Sequence, residues 1–226
     1  MTLRFPNESE EYRRARDELV QAEKGLRDHI ERVAQQRRAL PSGGLLKEDY
    51  GFEELVDGQV TKTRFSDLFG EDHDTLFLYS FMYAPSMASA CPSCTSILDG
   101  LDGQVRHLDQ SISTAIVAKH DIRTFHEHGA SRGWSRLRLL SSEKNSYQAD
   151  YLGESDGRQI TIGNVFHRQG REIRHFWGSE LVYHPLEGGH PRHVDLIWPL
   201  WNVLDLTPGG RGNFGPRLSY ENSGRS

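Results

Sequence analysis

Two cysteine residues carry the most specific chemistry in this 226-residue sequence. Cys91 and Cys94 are separated by Pro92 and Ser93, and the sequence contains no other cysteine. A scaffold of several disulfides is therefore excluded. Two thiols at this spacing on a helix lie about one turn apart, close enough to form a disulfide with each other. Inside a strand–helix–strand pattern, such a motif indicates thiol–disulfide exchange.

The position of the pair along the chain assigns each residue a role. An apolar run at residues 75–83 predicts a buried strand, and a helix is predicted from Pro92 onwards. Unpaired N–H groups and the helix dipole at an N-terminus favour a thiolate over a thiol. We therefore predict that Cys91 attacks and that Cys94 resolves. Pro92 suits the first helical turn, and Ser93 offers a hydroxyl near the sulfur.

Metal binding and inert burial are the alternatives to redox chemistry. A structural zinc site normally needs four ligands, and no second cysteine pair is present. The nearest histidines lack the spacing of zinc ligands; they are His107, His120, His126 and His128. Two thiolates could hold Cu(I) together with a distant histidine, or both thiols could be buried and unreactive. We adopt redox chemistry as the prediction, with no metal and no organic cofactor.

Alternating strands and helices surround the cysteine pair and predict the fold. Apolar runs predict strands at residues 75–83, 111–119 and 137–140, and apolar spacing predicts a helix at residues 92–107. Asp121 can cap a further helix at residues 121–132. Hairpins are predicted at residues 52–63 and 160–178, a loop at residues 141–159 and a last helix at residues 194–206. Strands that alternate with helices indicate parallel pairing, and hairpins add antiparallel strands. We therefore expect an α/β fold with a mixed sheet flanked by helices.

A long amphipathic helix is predicted at the N-terminus. Its apolar positions recur at three- and four-residue spacing and are Tyr12, Ala15, Leu19, Ala22, Leu26, Ile30 and Val33. This stripe either packs within the chain or forms a homodimer contact, and the pattern does not distinguish the two. We assign residues 1–42 to this helical arm and residues 43–206 to the main domain. Residues 207–226, rich in glycine, are assigned to an extended or disordered tail.

Composition and charge restrict the class of partner. The chain has 27 basic and 32 acidic residues and a formal net charge of −5, so no basic surface for nucleic acid is expected. No apolar run approaches the roughly 20 residues of a membrane helix. The first residues carry no apolar signal region. We therefore expect a cytoplasmic protein that binds neither nucleic acid nor membranes.

Several segments besides the cysteine motif match one family. They are residues 81–83, 98–103, 133–134 and 204–212, together with the N-terminal helix and the hairpin that follows it. Through these segments the chain resembles a bacterial thioredoxin-like family of unknown function that carries the label of predicted dithiol-disulfide oxidoreductase. The resemblance implies a thioredoxin-like fold with Cys91 and Cys94 as the redox pair. It also implies a thiol or disulfide substrate, either a protein or a small molecule.

Two further comparisons concern the surroundings of the thiols. Thioredoxin-like enzymes generally carry a cis-proline before the strand that faces the cysteines, whereas residues 160–166 contain no proline. Pro85 and Ser89 are similar to a peroxiredoxin motif, although the spacing to Cys91 is one residue short. The alternative activity is therefore a peroxiredoxin-like thiol peroxidase, in which Cys91 becomes a sulfenic acid that Cys94 resolves. The other alternative is a metal-binding or interaction module on a thioredoxin scaffold.

Two aromatic residues are candidate substrate contacts. Tyr83 ends the strand predicted before the cysteines, and Trp134 follows the helix predicted at residues 121–132. A flat ring beside a thiol can present an apolar surface to a substrate. Packing in the core is the alternative for both rings.

Overall fold

The computed structural model describes residues 4–184 and 192–220. The chain divides into two compact units, Met1–Pro41 and Ser42–Ser226. Within the described ranges, no helix combines the length and the hydropathy that are required to cross a membrane.

The predicted N-terminal helix is present as α1, Glu10–Arg38. The side chain of Ser9 caps its first turn by accepting a hydrogen bond from the N–H of Tyr12 at 3.1 Å. Acidic residues in the first turn and basic residues in the last turn complement the helix dipole. The large side chains of its apolar stripe are exposed; they are Tyr12, Leu19, Leu26 and Ile30.

A seven-stranded sheet forms the centre of the second unit. Its strands are β1 (Gly51–Val56), β2 (Gln59–Arg64), β3 (Thr75–Phe81), β4 (Ser113–Ala118), β5 (Leu139–Ser141), β8 (Ile162–Gln169) and β9 (Glu172–Gly178). A separate short hairpin consists of β6 (Glu154–Ser155) and β7 (Arg158–Gln159). The helices are α2 (Pro92–Leu108), α3 (Ile122–Arg132), α4 (Tyr147–Asp150) and α5 (Pro199–Leu204). Each of the strands, helices and hairpins predicted around the cysteines is confirmed, with ends that shift by a few residues.

The order and direction of the strands define a thioredoxin-like fold. The spatial order is β2-β1-β5-β4-β3-β8-β9. Strands β3, β4 and β5 are parallel because α2 and α3 carry the chain back between them. Strand β8 runs antiparallel to β3 and pairs with β9 as a hairpin. This is the expected mixed sheet, with the cysteine motif between β3 and α2.

Each face of the sheet covers its own hydrophobic core. Along β3, Tyr79 and Phe81 contribute to the core beneath α2 and α3, whereas Leu76 and Leu78 belong to the core on the other face. The alternation follows from the two-residue period of a strand. All four side chains are at most 1% exposed. The strand is thus buried on both faces, as its unbroken apolar run predicts.

The prediction of a loop at residues 141–159 is wrong in part. This stretch contains α4 and the β6–β7 hairpin, and Tyr147 in α4 is fully buried among aromatic side chains. The hairpin turns at Asp156 and Gly157, which both have positive φ, 51° and 73°. An Asp-Gly pair suits a two-residue turn of this kind. Elements this short leave no periodic pattern in a sequence.

The last helix predicted at residues 194–206 is also wrong in its extent. A 3₁₀ turn at Asp195–Ile197 is followed by α5, and the break falls at Trp198, directly before Pro199. The residue before a proline disfavours helical backbone, and Trp198 is correspondingly extended, with ψ 85°. Beyond α5, the chain continues through turns in which Arg211 pairs with Asp195 and Asp205.

Candidate active site

The first cysteine lies at the start of α2. Cys91 is the N-cap residue, with φ −64° and ψ 120°, and Pro92 occupies the first turn. The N–H of Cys91 donates to the carbonyl of Met82 at 3.1 Å, which fixes the end of the loop after β3. The N–H of Thr95 donates to the carbonyl of Cys91 at 2.9 Å. The sulfur of Cys91 is thereby held at the electropositive end of the helix.

The environment of Cys91 favours its thiolate. The side chain of Cys94 donates a hydrogen bond to the Cys91 sulfur, and the backbone N–H groups of Cys94 and Ser93 add further donors. The N–H of Cys94 lies 3.4 Å from the sulfur. These donors lower the pKa of Cys91 to about 6, although partial burial acts in the opposite direction. Cys91 therefore meets the predicted requirement for an attacking thiol near neutral pH.

The second cysteine has the opposite environment. Cys94 is 1% exposed and belongs to the core beneath α2. Burial, followed by the interaction with Cys91, raises the pKa of Cys94 well above its ordinary value. Both residues are free thiols in this structure. The pair thus combines one accessible, ionised sulfur with one buried, protonated sulfur.

Two hydroxyl groups beside Cys94 were not predicted from the sequence. Tyr79 is fully buried in the same core cluster as Cys94. The hydroxyl of Thr161, just before β8, lies 2.6 Å from the Tyr79 oxygen, and it acts to lower the pKa of Cys94, although burial raises that pKa more strongly. Thr161 lies in the stretch that lacks a proline, and the described residues contain no cis peptide bond. The alternation along β3 could have indicated that Tyr79 faces α2.

The two predicted aromatic contacts have different positions. Tyr83 is half-buried, and its ring centroid lies 4.4 Å from that of His120. Trp134 is only 8% exposed, packs edge-on against Phe81 and donates its indole N–H to Asp99 at 2.9 Å. The ring of Trp134 thus packs in the core, which is the alternative given for it above, and its contact with a substrate stays a prediction. Tyr83 remains a candidate.

His128 lies close to the start of α2, and the sequence pattern did not predict this position. The ring of His128 is half-buried against Tyr83 and Trp134. Its Nε2 lies 3.4 Å from the hydroxyl of Thr95, which in turn donates to the Cys91 carbonyl at 2.9 Å. Burial lowers the pKa of His128, so the ring is neutral at neutral pH. Its contacts support the first turn of α2 and do not involve the sulfur directly.

The segment near the end of the described chain borders the cysteine motif. Residues 216–219 and Pro92 line an open groove of about 480 Å³. Arg132 holds this segment by donating to the carbonyl of Leu218 at 2.8 Å. Asp99 in α2 accepts hydrogen bonds from Arg132 and fixes that side chain. A groove of this size beside the motif can accommodate part of a substrate.

Other candidate features lie apart from the thiols. An apolar cavity of about 560 Å³ is lined by Phe77, Ile197 and the part of α2 that begins at Gly100, further along the helix than Cys94. Pro85 and Ser89, the residues of the peroxiredoxin-like motif, are exposed on the loop before α2. Among the residues that the structure describes, no group of three or more metal-binding side chains could hold an ion.

The similarity to solved structures is distant. Enterococcus faecalis AhpC is 14% identical, with a TM-score of 0.44 over 61% of this chain and 78% of its own. Plasmodium yoelii thioredoxin peroxidase I is 16% identical, with a TM-score of 0.45 over 78% of this chain and 100% of its own. The exposed lipoprotein thioredoxin Etrx1 of Streptococcus pneumoniae is 16% identical, with a TM-score of 0.39 over 56% of this chain and 87% of its own. These likenesses carry no argument about activity.

The family comparison covers nearly the whole chain. No curated protein matches the sequence. A family model described as "Bacterial protein of unknown function (DUF899)" matches residues 2–223. The chain, with its thioredoxin-like fold and its cysteine pair at the start of α2, therefore belongs to this bacterial family, DUF899.

Proposed function

We propose that this protein is a thiol–disulfide oxidoreductase in which Cys91 attacks and Cys94 resolves. One observation carries the proposal: the half-buried residue Cys91 caps α2, and its sulfur accepts the N–H of Cys94 at 3.4 Å. The hydrogen bond from the Cys94 side chain, followed by the backbone N–H groups of Cys94 and Ser93, lowers the pKa of Cys91 to about 6. A thiol of this kind is largely ionised at neutral pH and is a competent nucleophile towards a disulfide.

Exchange at this pair proceeds in two steps. The Cys91 thiolate attacks one sulfur of a substrate disulfide, so that a Cys91–substrate bond forms and the other substrate sulfur leaves as a thiolate. The sulfur of Cys94 then attacks Cys91 and releases the remaining substrate thiol. The substrate gains two electrons and the cysteine pair loses two, which remain as the Cys91–Cys94 disulfide. An external dithiol returns the pair to the reduced form, and the same steps in reverse oxidise a substrate.

The surroundings of Cys91 support contact with a substrate. Tyr83 is half-buried on the loop after β3, and residues 216–219 border Pro92 across the open groove. We propose that a substrate thiol or disulfide, from a protein or a small molecule, lies along this surface. Arg217 is among the residues that line this groove, and the Tyr83 ring offers an apolar contact to the same substrate.

Alkylation of the reduced protein across a pH series tests the proposal. Iodoacetamide labelling, followed by peptide mass, is expected to give Cys91 a pKa of about 6 and to leave Cys94 unlabelled until far higher pH. Equilibration in glutathione redox buffers is expected to form a reversible Cys91–Cys94 disulfide. A Cys91 pKa near the ordinary value of about 8.5, together with no reversible disulfide, would falsify the oxidoreductase.

The same samples distinguish the peroxidase alternative. Hydrogen peroxide and a small disulfide are offered separately at matched concentrations, and a dimedone trap detects sulfenic acid at Cys91. The oxidoreductase is expected to react faster with the disulfide. Rapid consumption of peroxide with a trapped sulfenic acid, and slow exchange with the disulfide, would instead establish a thiol peroxidase. The Cys91→Ser variant is the control for both reactions.

A further inference from the structure

The groove beside the cysteine motif contains an uncompensated positive charge. Pro92, in the first turn of α2, lines one side of the groove, and residues 216–219 line the other. Among the described residues that line it, Arg217 is the only one with a charged side chain. Arg217 is exposed, and its guanidinium forms no ion pair with any residue that the structure describes. A cation without a partner beside a reactive thiol favours an anionic ligand.

The other charges around the groove are already engaged. Arg132, which borders the same segment, donates to the carboxylate of Asp99 at 3.2 Å and is therefore neutralised. The groups that act on the Cys91 thiolate are Cys94 and neighbouring backbone N–H groups, and Arg217 is not one of them. The groove also borders the N-terminus of α2, where the helix dipole is positive. The charge of Arg217 thus remains available to a bound molecule.

Hydrogen bonds on both sides of Arg217 hold its backbone in place. Its N–H donates to the hydroxyl of Tyr220 at 3.1 Å. The carbonyl of the next residue, Leu218, accepts from Arg132 at 2.8 Å. The rings of Phe214 and Tyr220 stack with their centroids 6.3 Å apart, which joins the two ends of the segment. A side chain on a fixed backbone loses less freedom when it binds a ligand than one on a free tail.

We propose that Arg217 is a specificity-determining residue that binds the carboxylate of a small-molecule disulfide while Cys91 attacks it. This inference rests on the proposed function and narrows its substrate class. The groove volume of about 480 Å³ falls in the range of small-ligand sites, roughly 300–1,000 Å³. A guanidinium can donate two parallel hydrogen bonds to a carboxylate, and Pro92 and Leu218 offer apolar contacts to the carbon chain. The carboxylate orients the substrate and takes no part in the exchange of disulfide bonds.

Three small disulfides of similar length and different charge test this role. Dithiodipropionate is anionic, hydroxyethyl disulfide is neutral and cystamine is cationic at neutral pH. Each is offered to the full-length chain carrying Cys94→Ser, in which the reaction stops at the Cys91 adduct, and the rate is followed by intact mass. Adding Arg217→Gln is expected to slow the reaction with dithiodipropionate by about fivefold, within the range found for exposed ion pairs. The rate with hydroxyethyl disulfide should stay the same.

Charge reversal and salt distinguish a specific ion pair from a general effect. Arg217→Glu is expected to slow dithiodipropionate further and to accelerate cystamine, whereas Arg217→Lys should keep the wild-type order of preference. The effect of Arg217→Gln on dithiodipropionate should shrink as ionic strength rises, because salt screens an exposed pair. Arg106→Gln is the matched control, since it removes the same charge from an exposed position in the last turn of α2. It is expected to leave all three rates unchanged.

Each other outcome overturns the inference. An unchanged rate with dithiodipropionate in Arg217→Gln removes the carboxylate contact. An equal loss with all three disulfides indicates that Arg217 only supports residues 216–219, and an equal loss in Arg106→Gln indicates an effect of net charge alone. In these three cases the Cys91 adduct still forms, so the oxidoreductase stands. If none of the three disulfides forms an adduct on Cys91 in the chain with Arg217 intact, the proposed function itself fails.

Discussion

The backbone nitrogen of Cys94 lies 3.4 Å from the sulfur of Cys91. This hydrogen bond exists because Cys91 caps α2 and Cys94 is the third residue of that helix. The same spacing buries Cys94 while Cys91 stays only half-buried. One local geometry therefore supplies both halves of an exchange reaction, an ionised nucleophile and a protected resolving thiol.

The first prediction concerns Cys94→Ser. A hydroxyl in place of the resolving thiol leaves the Cys91 thiolate able to attack but removes the second step. Incubation with a small disulfide is expected to leave a stable adduct on Cys91, measured as a mass increase of the intact protein. Cys91→Ser should form no adduct under the same conditions. An adduct on Cys94 in Cys91→Ser would reverse the assigned roles.

The second prediction links the Cys91 thiolate to stability. The pKa of Cys91 is about 6 in the folded protein, below the ordinary thiol value of about 8.5. The stabilisation is therefore complete above the unfolded pKa and is lost as the pH falls through the folded value. In denaturant titrations, the difference in free energy of unfolding between the wild type and Cys91→Ser should grow by on the order of 2 kcal/mol between about pH 6 and pH 8.5. A constant difference would contradict a thiolate.

The third prediction tests the bonds that hold the end of α3 against α2. Asp99 accepts from the guanidinium of Arg132 and from the buried indole of Trp134. Asp99→Asn weakens both bonds, and a buried donor left without its acceptor costs about 1–3 kcal/mol. Chemical denaturation is expected to show a loss of this size. Asp109→Asn, at the exposed end of the same helix, is the control and should change stability little.

The fourth prediction compares two glycines. Gly103 lies inside α2, and a Cβ there would meet no atom within 4 Å. Gly103→Ala is expected to stabilise the protein by about 0.5–1 kcal/mol because alanine loses less backbone entropy in a helix. Gly133 ends α3 with φ +76°, so Gly133→Ala should destabilise it. Melting temperatures that move in the same direction for both variants would contradict this account.

The fifth prediction concerns self-association through α1. Leu19 and Leu26 are 51% and 60% exposed and lie seven residues apart on one stripe. A second copy of the chain is the partner we predict for this stripe, since seven-residue spacing suits pairing of two helices. Glu substitutions at both positions should shift a dimer to a monomer in sedimentation velocity. Gln21→Glu is the control. A monomeric wild type would rule out the homodimer contact.

The sequence determined the parts of this protein that depend on local patterns. Apolar runs identified the central strands, apolar spacing identified α1 and α2, and the capping residue Asp121 identified α3. The position of Cys91 before a helix was enough to predict a thiolate, because helix N-termini carry unpaired N–H groups wherever they occur. The order of strands and helices was also enough to predict a mixed sheet.

The tertiary structure decided which distant residues meet at the thiols. Thr161 reaches Tyr79 only because β8 pairs with β3 in one register, and Trp134 enters the core because α3 packs on the same face as α2. Such contacts join residues far apart in the chain, and no local period encodes them. The break in the last helix at Trp198 and the four-residue helix α4 were not predicted for a related reason. Elements of few residues owe their stability to the packing around them.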